Sequence, residues 1–159
     1  MNFMNTWGKA GVVALSVVAL GTAVAAAQSK DDAVKARQTA MKSFGADTKA
    51  ISDYIKGAGD KDSAAKAAMD MSATSTKLAK LWPAGTSSTD MPGVSKAKPD
   101  AFTDGAKFTD RFAALSGDAS KLADTIKSGS TDDVKAAQGA LAKANCGGCH
   151  MMYREAEQH

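Results

Sequence analysis

A pentapeptide near the C-terminus, Cys146-Gly147-Gly148-Cys149-His150, constrains this chain more than any other stretch. On a helix, residues three apart share a face, so both thiols can meet one flat body together. The C-x-x-C-H arrangement is the attachment signature of a c-type haem, whose vinyl groups take the thiols and whose iron takes the imidazole. Because glycine is a poor helix residue, the paired glycines predict a bulky body against the backbone. We therefore expect one covalent haem c on this pentapeptide.

Other kinds of site could use the same two cysteines. A zinc site needs four ligands, but the chain has only two cysteines and two histidines, and His159 lies beyond the usual spacing. A redox dithiol normally lies where a strand passes into a helix, whereas these cysteines come late in a helical pattern. A disulfide across two residues is strained. Haem attachment is the favoured interpretation, and a dithiol or disulfide stays open.

The N-terminal segment predicts export. Lys9 is the only charged residue before Lys30, and residues 10–27 are small and apolar and end in an A-x-A sequence. We expect residues 1–27 to be a cleaved signal peptide and residues 28–159 to form the mature domain, with a transmembrane anchor as the alternative. Export would place the cysteines in an oxidising compartment, here the periplasm, with no remaining membrane segment after cleavage.

The charge balance gives no sign of a nucleic-acid partner. The formal net charge of the 159 residues is +3, with no run of Lys and Arg and few aromatic residues to stack on bases. Alanine and lysine are abundant in the mature segment, and the three prolines are confined to positions 83, 92 and 99. This composition favours helices.

The spacing of apolar residues predicts four helices. Spacings of three and four residues recur through the chain, as on the buried face of an amphipathic helix. Short polar or glycine-rich connections and one long connection, residues 83–99, separate the periodic stretches. We expect an all-α, antiparallel, up-down-up-down four-helix bundle, an architecture that builds cofactor sites between facing helices. The predicted helices run from about Asp31 to Lys56, from about Lys61 to Leu81, from after Asp100 to before Ser128, and from Thr131 through the pentapeptide.

Bundle geometry points to Met41 as a candidate second iron ligand. His150 lies about nine residues from the end of the fourth helix, and Met41 lies at a similar depth in the first helix, within about 3 Å at 1.5 Å per residue. Met41 is also on the apolar stripe of its helix. Met71 and Phe112 should lie at a similar height, so spacing alone leaves Met41 open as an iron ligand or as an ordinary core residue.

The C-terminal sequence C-x-x-C-H-x-x-Y-R, from Cys146 to Arg154, resembles that of the class II c-type cytochromes. These proteins carry the haem at the C-terminal end of a four-helix bundle. The segment from Asp32 to Lys42, with Arg37, Gln38 and Met41, and the segment from Leu81 to Pro99 resemble the same family. The resemblance extends over essentially the whole mature chain.

The resemblance implies roles for residues of the first helix and of the C-terminal pentapeptide. Arg37 and Gln38 would lie beside the haem edge, with Arg37 near a propionate as a charge-assisted donor. His150 would be the proximal ligand, and Met41 would occupy the distal position. Cys146 and Cys149 are expected to carry the thioethers.

Two functions follow, because the family divides at the distal position. In its low-spin members the methionine sulfur is the sixth iron ligand and the protein carries electrons. In cytochrome c prime the distal residue shields a five-coordinate, high-spin iron that is open to NO or CO. The run from Met41 to Ala46, with Gly45 one turn after Met41, resembles the low-spin branch more closely. We therefore expect a periplasmic electron carrier with His150 and Met41 as metal ligands and an unidentified redox partner protein, and gas binding is the alternative.

Other residues carry weaker expectations. The chain lacks a second inward-facing histidine to act as a distal base, so we expect no enzymatic activity. The exposed faces leave both a monomer and a homodimer open. Arg154 would lie near His150 or be solvated, Trp82 would pack on the haem or cap the bundle, and Met151 and Met152 would pack in the helix.

Overall fold

The computed structural model describes residues 29–156 as an almost entirely helical domain. The predicted signal peptide and His159 lie outside the described residues. Within the described range, the only β-type pairing is an isolated antiparallel bridge between Ala97 and Arg154. The helices are α1 (Lys30–Ile55), α2 (Lys61–Leu78), α3 (Asp100–Thr103), α4 (Ala106–Ser128), α5 (Thr131–Leu141), a π-helical turn (Ala142–Gly147) and α6 (Gly148–Tyr153).

Polar side chains fix where the long helices begin. The Ser29 side chain accepts a hydrogen bond from the backbone N–H of Asp32 at the start of α1, and Asp60 does the same for Ser63 at the start of α2. At α5, Ser130 and Asp133 form a reciprocal capping box. These bonds satisfy amide groups that have no partner inside the helix.

The long helices pack as a four-helix bundle. Helix α2 lies against α1 and α4, and α5 lies against α4 and α1, so the four form a closed ring. The α1–α2 and α4–α5 connections are short, and residues 79–99 form the longest one. Short links between neighbouring helices place them antiparallel. Among residues 29–156, no helix is both long enough and apolar enough to cross a bilayer.

Two predicted helices differ from expectation at their ends. The second helix stops at Leu78, three residues earlier than predicted, and passes into hydrogen-bonded turns before Pro83. The third is interrupted at Gly105, whose φ of 52° is a left-handed conformation that favours glycine. The interruption separates the short α3 from α4 and lets the chain change direction before the long helix starts.

The core is divided into two clusters. One, here called the alanine-rich cluster, fills the end of the bundle away from the C-terminus. The other, the aromatic cluster, lies where the long connection and the C-terminus meet. The alanine-rich cluster contains Ile51, Ala64, Ala65, Ala67, Ala68, Met71, Leu115, Ala119, Leu122, Ala123, Ile126, Val134 and Leu141. The aromatic cluster contains Ala40, Leu78, Ala101, Phe108, Phe112 and Tyr153, with Trp82 and Phe102 packed against it.

Candidate haem site

Two adjoining cavities lie between the helices, one bordered by the aromatic cluster and the other reaching into the alanine-rich cluster. Their volumes are about 450 and 360 Å³, within the range of roughly 300–1,000 Å³ that is typical of cofactor sites. Both cavities are lined by Met41 of α1, Phe112 of α4, and Cys149 and His150 of α6. Residues predicted from distant parts of the sequence are therefore brought together here.

The pentapeptide lies along one wall of this space. Cys146 and Cys149 are half-buried free thiols, and burial raises the pKa of both. Cys146 packs against the alanine-rich cluster and Cys149 against the aromatic cluster. Burial, helped by the nearby Arg154 cation, lowers the pKa of His150. A neutral imidazole has the free nitrogen lone pair that iron ligation requires.

Arg37 lies buried in the opposite wall. Its guanidinium lies 4.4 Å from the centre of the Trp82 ring and 5.7 Å from that of Phe102. One terminal nitrogen, Nη2, donates a hydrogen bond of 2.9 Å to the carbonyl oxygen of Thr86. The other, Nη1, is buried without a hydrogen-bond partner in the described protein. Burial lowers the pKa of Arg37 to about 10.

The orphaned Nη1 tests whether these residues fit a haem. A buried cationic donor without a partner is costly, and a carboxylate in the adjacent cavity would satisfy it. Every charged side chain lining the larger cavity is basic: Arg37, Lys42, Lys96, His150 when protonated, and Arg154. Together with two free thiols and an imidazole on the facing wall, this donor set fits a macrocycle that carries carboxylates and a metal.

The long connection closes one side of the larger cavity. The Gln38 amide donates to the carbonyl oxygen of Val94 at 3.0 Å, which ties the connection to α1. At its other end the N–H of Lys98 donates to the carbonyl oxygen of Tyr153 at 2.9 Å. Gln38 is exposed at the rim of the larger cavity, where its hydrogen bond attaches the long connection to α1.

Met41 is half-buried where the two cavities meet. It packs against the aromatic cluster. Met71 lines the smaller cavity and Phe112 lines both, so both residues that the spacing placed at the same height also reach this space. The geometry brings Met41 and His150 to the same cavities from different helices.

Three glycines have free space around them. A methyl group added at Gly147 would come no closer than 3.6 Å to the carbonyl oxygen of Ala142, and one at Gly148 no closer than 3.7 Å to that of Lys143. At Gly45 it would meet nothing within 4 Å. The described polypeptide therefore does not itself require glycine at these positions, and close approach of a bulky body stays a prediction.

The expectations for Trp82, Arg154 and the two methionines of α6 have different outcomes. Trp82 lines the larger cavity, and its indole N–H donates to the carbonyl oxygen of Leu78 at 2.7 Å, so it both borders the site and closes α2. Arg154 also lines the larger cavity. The expected packing of Met151 and Met152 in the helix is wrong: their side chains are 77% and 40% exposed because they lie on the outer face of α6.

Sequence reasoning missed two polar residues of the site. Arg111 lines the smaller cavity and donates through Nη2 to the sulfur of Met152 at 3.8 Å. Asn145 is buried and donates through Nδ2 to Oδ2 of Asp118 at 2.9 Å. Asn145 had a signal in the sequence: it lies four residues after Leu141, where a continuous α-helix would place a core residue. Arg111 had none.

Comparison with known proteins places the chain in a family. Residues 32–154 match the family model described as Cytochrome C'. The chain belongs to the cytochrome c' family. Its sequence is 34% identical, over 140 residues, to a cytochrome c' of Rhodopseudomonas palustris, covering 87% of this chain and 90% of the relative.

Solved structures agree on the fold. Cytochrome c' from Thermochromatium tepidum is 25% identical with a TM-score of 0.71, covering 82% of this chain and 100% of the other. Oxidised cytochrome c556 from R. palustris is 25% identical with a TM-score of 0.70, covering 80% of this chain and 98% of the other. The predicted class II c-type cytochrome family and all-α four-helix bundle are confirmed, and the protein is a haem c cytochrome.

Proposed function

We propose that this protein is a periplasmic cytochrome c' whose haem iron keeps a free distal position for a diatomic ligand such as NO or CO. The supporting observation is the 34% identity to a cytochrome c' over 87% of the chain. The sequence favours electron transfer, with gas binding as the alternative. The family and the curated relative support the high-spin alternative better.

The proposed roles follow from the walls of the site. The haem would supply an iron centre that changes oxidation state and takes small axial ligands. Cys146 and Cys149 would hold it covalently, and the neutral imidazole of His150 would be the proximal ligand. Arg37 would place its unpaired Nη1 against a propionate. Met41 would cover the distal side.

An apolar distal wall suits a small uncharged ligand. Met41 and Phe112 border both cavities and offer no strong hydrogen-bond donor. Beside these two side chains, a diatomic ligand on the iron would lie in apolar surroundings. His150 is the only histidine among residues 29–156, so no imidazole base faces the described cavities from the distal side.

Electron transfer with Met41 as a second axial ligand is the second candidate. It is favoured by one observation, the convergence of Met41 and His150 on the same two cavities from α1 and α6. Methionine and histidine ligation would stabilise the reduced iron and raise its potential. This function would need a redox partner protein.

Carbon monoxide binding to the reduced holoprotein separates the two functions. Under our proposal the wild type binds CO readily, and Met41→Leu changes the affinity by less than about tenfold, because the swap nearly conserves volume. Met71→Leu is the matched control, because Met71 lines only the smaller cavity. A wild type that resists CO, with binding gained in Met41→Leu and not in Met71→Leu, would overturn the proposal in favour of methionine ligation.

A further inference from the structure

The helix that carries the pentapeptide is interrupted by a π-turn. Residues Ala142–Gly147 are π-helical, and the N–H of Gly148 donates to the carbonyl oxygens of both Asn145 and Lys143, the second of which lies five residues earlier. A single π-turn adds one residue to a helix. Every residue after it is therefore rotated by about 100° relative to an uninterrupted α-helix.

This rotation decides which face of the helix the pentapeptide occupies. In a continuous α-helix, at about 100° per residue, Cys146 would lie about 140° and Tyr153 about 120° around the axis from the buried Leu141. With one extra residue in the turn, Tyr153 falls to about 20°, and Cys146, which lies inside the turn, rotates in the same direction towards Leu141. The angle between Cys149 and Leu141 around the helix axis changes from about 80° on one side of Leu141 to about 20° on its other side. The π-turn brings both cysteines onto the face of Leu141.

The observed burial agrees with the rotated register. Tyr153 is 5% exposed, and its hydroxyl donates to Oδ2 of Asp104 at 2.8 Å. Cys146 and Cys149 both pack against core clusters. Met151 and Met152 point outward. The C-x-x-C spacing alone does not produce this arrangement.

One hydrogen bond connects the π-turn to the rest of the bundle. Asn145, inside the turn, is 8% exposed and donates through Nδ2 to the Asp118 carboxylate of α4 at 2.9 Å. The other Asp118 oxygen accepts from Nζ of Lys121 at 3.3 Å. Hydrogen bonds to an ionised acceptor are about twice as strong as neutral ones, and leaving a buried amide unpaired is costly. The bond therefore resists any rewinding of the turn that would move Asn145 off α4.

We propose that Asn145 and Asp118 are positioning residues, whose hydrogen bond holds the π-turn in the register that presents Cys146, Cys149 and His150 to the haem. The inference rests on covalent haem binding and is independent of whether Met41 ligates iron. Neither residue needs to touch the haem.

A reversed pair tests the hydrogen bond itself. Asn145→Asp sets two carboxylates against each other, and the double variant N145D/D118N restores an amide–carboxylate pair with its direction reversed. The matched control is Asp124→Asn on the same helix, which removes an exposed carboxylate paired with Lys127. All variants are compared as purified holoprotein.

Two readouts report on the register. Hydrogen–deuterium exchange of residues 142–150 follows the turn, and the EPR spectrum of the ferric protein follows the orientation of the His150 imidazole. In N145D we expect hydrogen–deuterium exchange of residues 142–150 to be about tenfold faster, because one hydrogen bond to a charged group is lost. We also expect an altered EPR spectrum. The double variant N145D/D118N should recover most of the wild-type exchange rate and EPR spectrum, and D124N should match the wild type in both.

Two results would overturn the proposal. In the first, N145D leaves both readouts unchanged. In the second, the reversed pair is as disturbed as N145D, which would mean that the residue at 145 matters and the hydrogen bond does not. Should N145D not accumulate, Asp118→Asn alone leaves a weaker amide–amide contact and should give a smaller rise in exchange; no rise there would equally contradict the proposal.

Discussion

The two core clusters differ in the size of their side chains, and each borders mainly a different cavity of the site. In the alanine-rich cluster, alanine side chains let α2 and α4 approach closely. In the aromatic cluster, large rings meet edge to face, with centroids 4.6 Å apart for Trp82 and Phe108 and 5.1 Å for Phe108 and Phe112. The rings support the cavity wall without filling the bundle. The aromatic cluster borders the larger cavity, whereas the alanine-rich cluster borders the smaller one only through its large side chains, Ile51, Met71, Leu115, Leu122 and Leu141.

The strongest test of this division compares one large core residue from each cluster. Phe108→Ala should cost about 3–5 kcal/mol of unfolding free energy and Ile126→Ala about 2–5 kcal/mol. Only Phe108 lines a cavity, so we expect the haem absorption spectrum to change in Phe108→Ala alone. Denaturant unfolding and visible absorption of the holoproteins check both points. A changed haem spectrum in Ile126→Ala would show that the clusters are not separate in function.

The Arg37 guanidinium should matter more than any other cation near the cavities. Arg37→Met keeps the apolar stem but removes the Thr86 hydrogen bond and the orphaned Nη1. Holoprotein stability should fall by about 1.5–3 kcal/mol, the range for hydrogen bonds to charged groups. Arg111→Met is the control, because Arg111 donates to the weakly accepting thioether sulfur of Met152. Equal costs for the two variants would contradict a special role for Arg37.

The cap of α5 should stabilise the alanine-rich end without affecting the haem. Ser130→Ala removes the side chain that accepts from the N–H of Asp133, and a lost cap costs about 0.5–2 kcal/mol. Thermal unfolding measures the loss, while CO binding should stay at the wild-type level. A change in CO binding would show that the far end of the bundle is coupled to the site.

The smallest expected effect is on acid stability. Hydrogen bonds from the hydroxyl and backbone N–H of Ser130 lower the pKa of Asp133. A carboxyl whose pKa is lower in the folded state stabilises the fold above its unfolded pKa, and this contribution is lost as the pH falls through the folded value. Between about pH 5 and pH 3, Asp133→Asn should therefore lose less stability than the wild type. Asp132→Asn, which leaves the capping box intact, should follow the wild type.

Local patterns were sufficient to predict the helices, and they carry the attachment site that we propose. The apolar stripes repeat every three or four residues within one helix, so they can be read from the sequence alone. The C-x-x-C-H pentapeptide is equally local. The stripe of α1 also placed Met41 facing the interior, and the structure puts it on the cavity wall.

Features that depend on distant contacts were not predictable. Asn145 in the π-turn donates a hydrogen bond to Asp118 of α4, and periodicity along one helix cannot reveal that partner. The same turn explains why Met151 and Met152 face outward. The position of Arg37 likewise depends on the Trp82 ring and the Thr86 carbonyl, which the long connection brings to α1.

The spin state of the ferric holoprotein tests the central claim most directly. It is measured by resonance Raman and EPR spectroscopy on the wild type and Met41→Leu. Our account predicts a covalently bound, high-spin, five-coordinate haem in both proteins, with His150 as the axial ligand. A low-spin wild type with a sulfur-to-iron charge-transfer band, converted to high spin in Met41→Leu, would contradict the open distal site and assign Met41 as the sixth ligand.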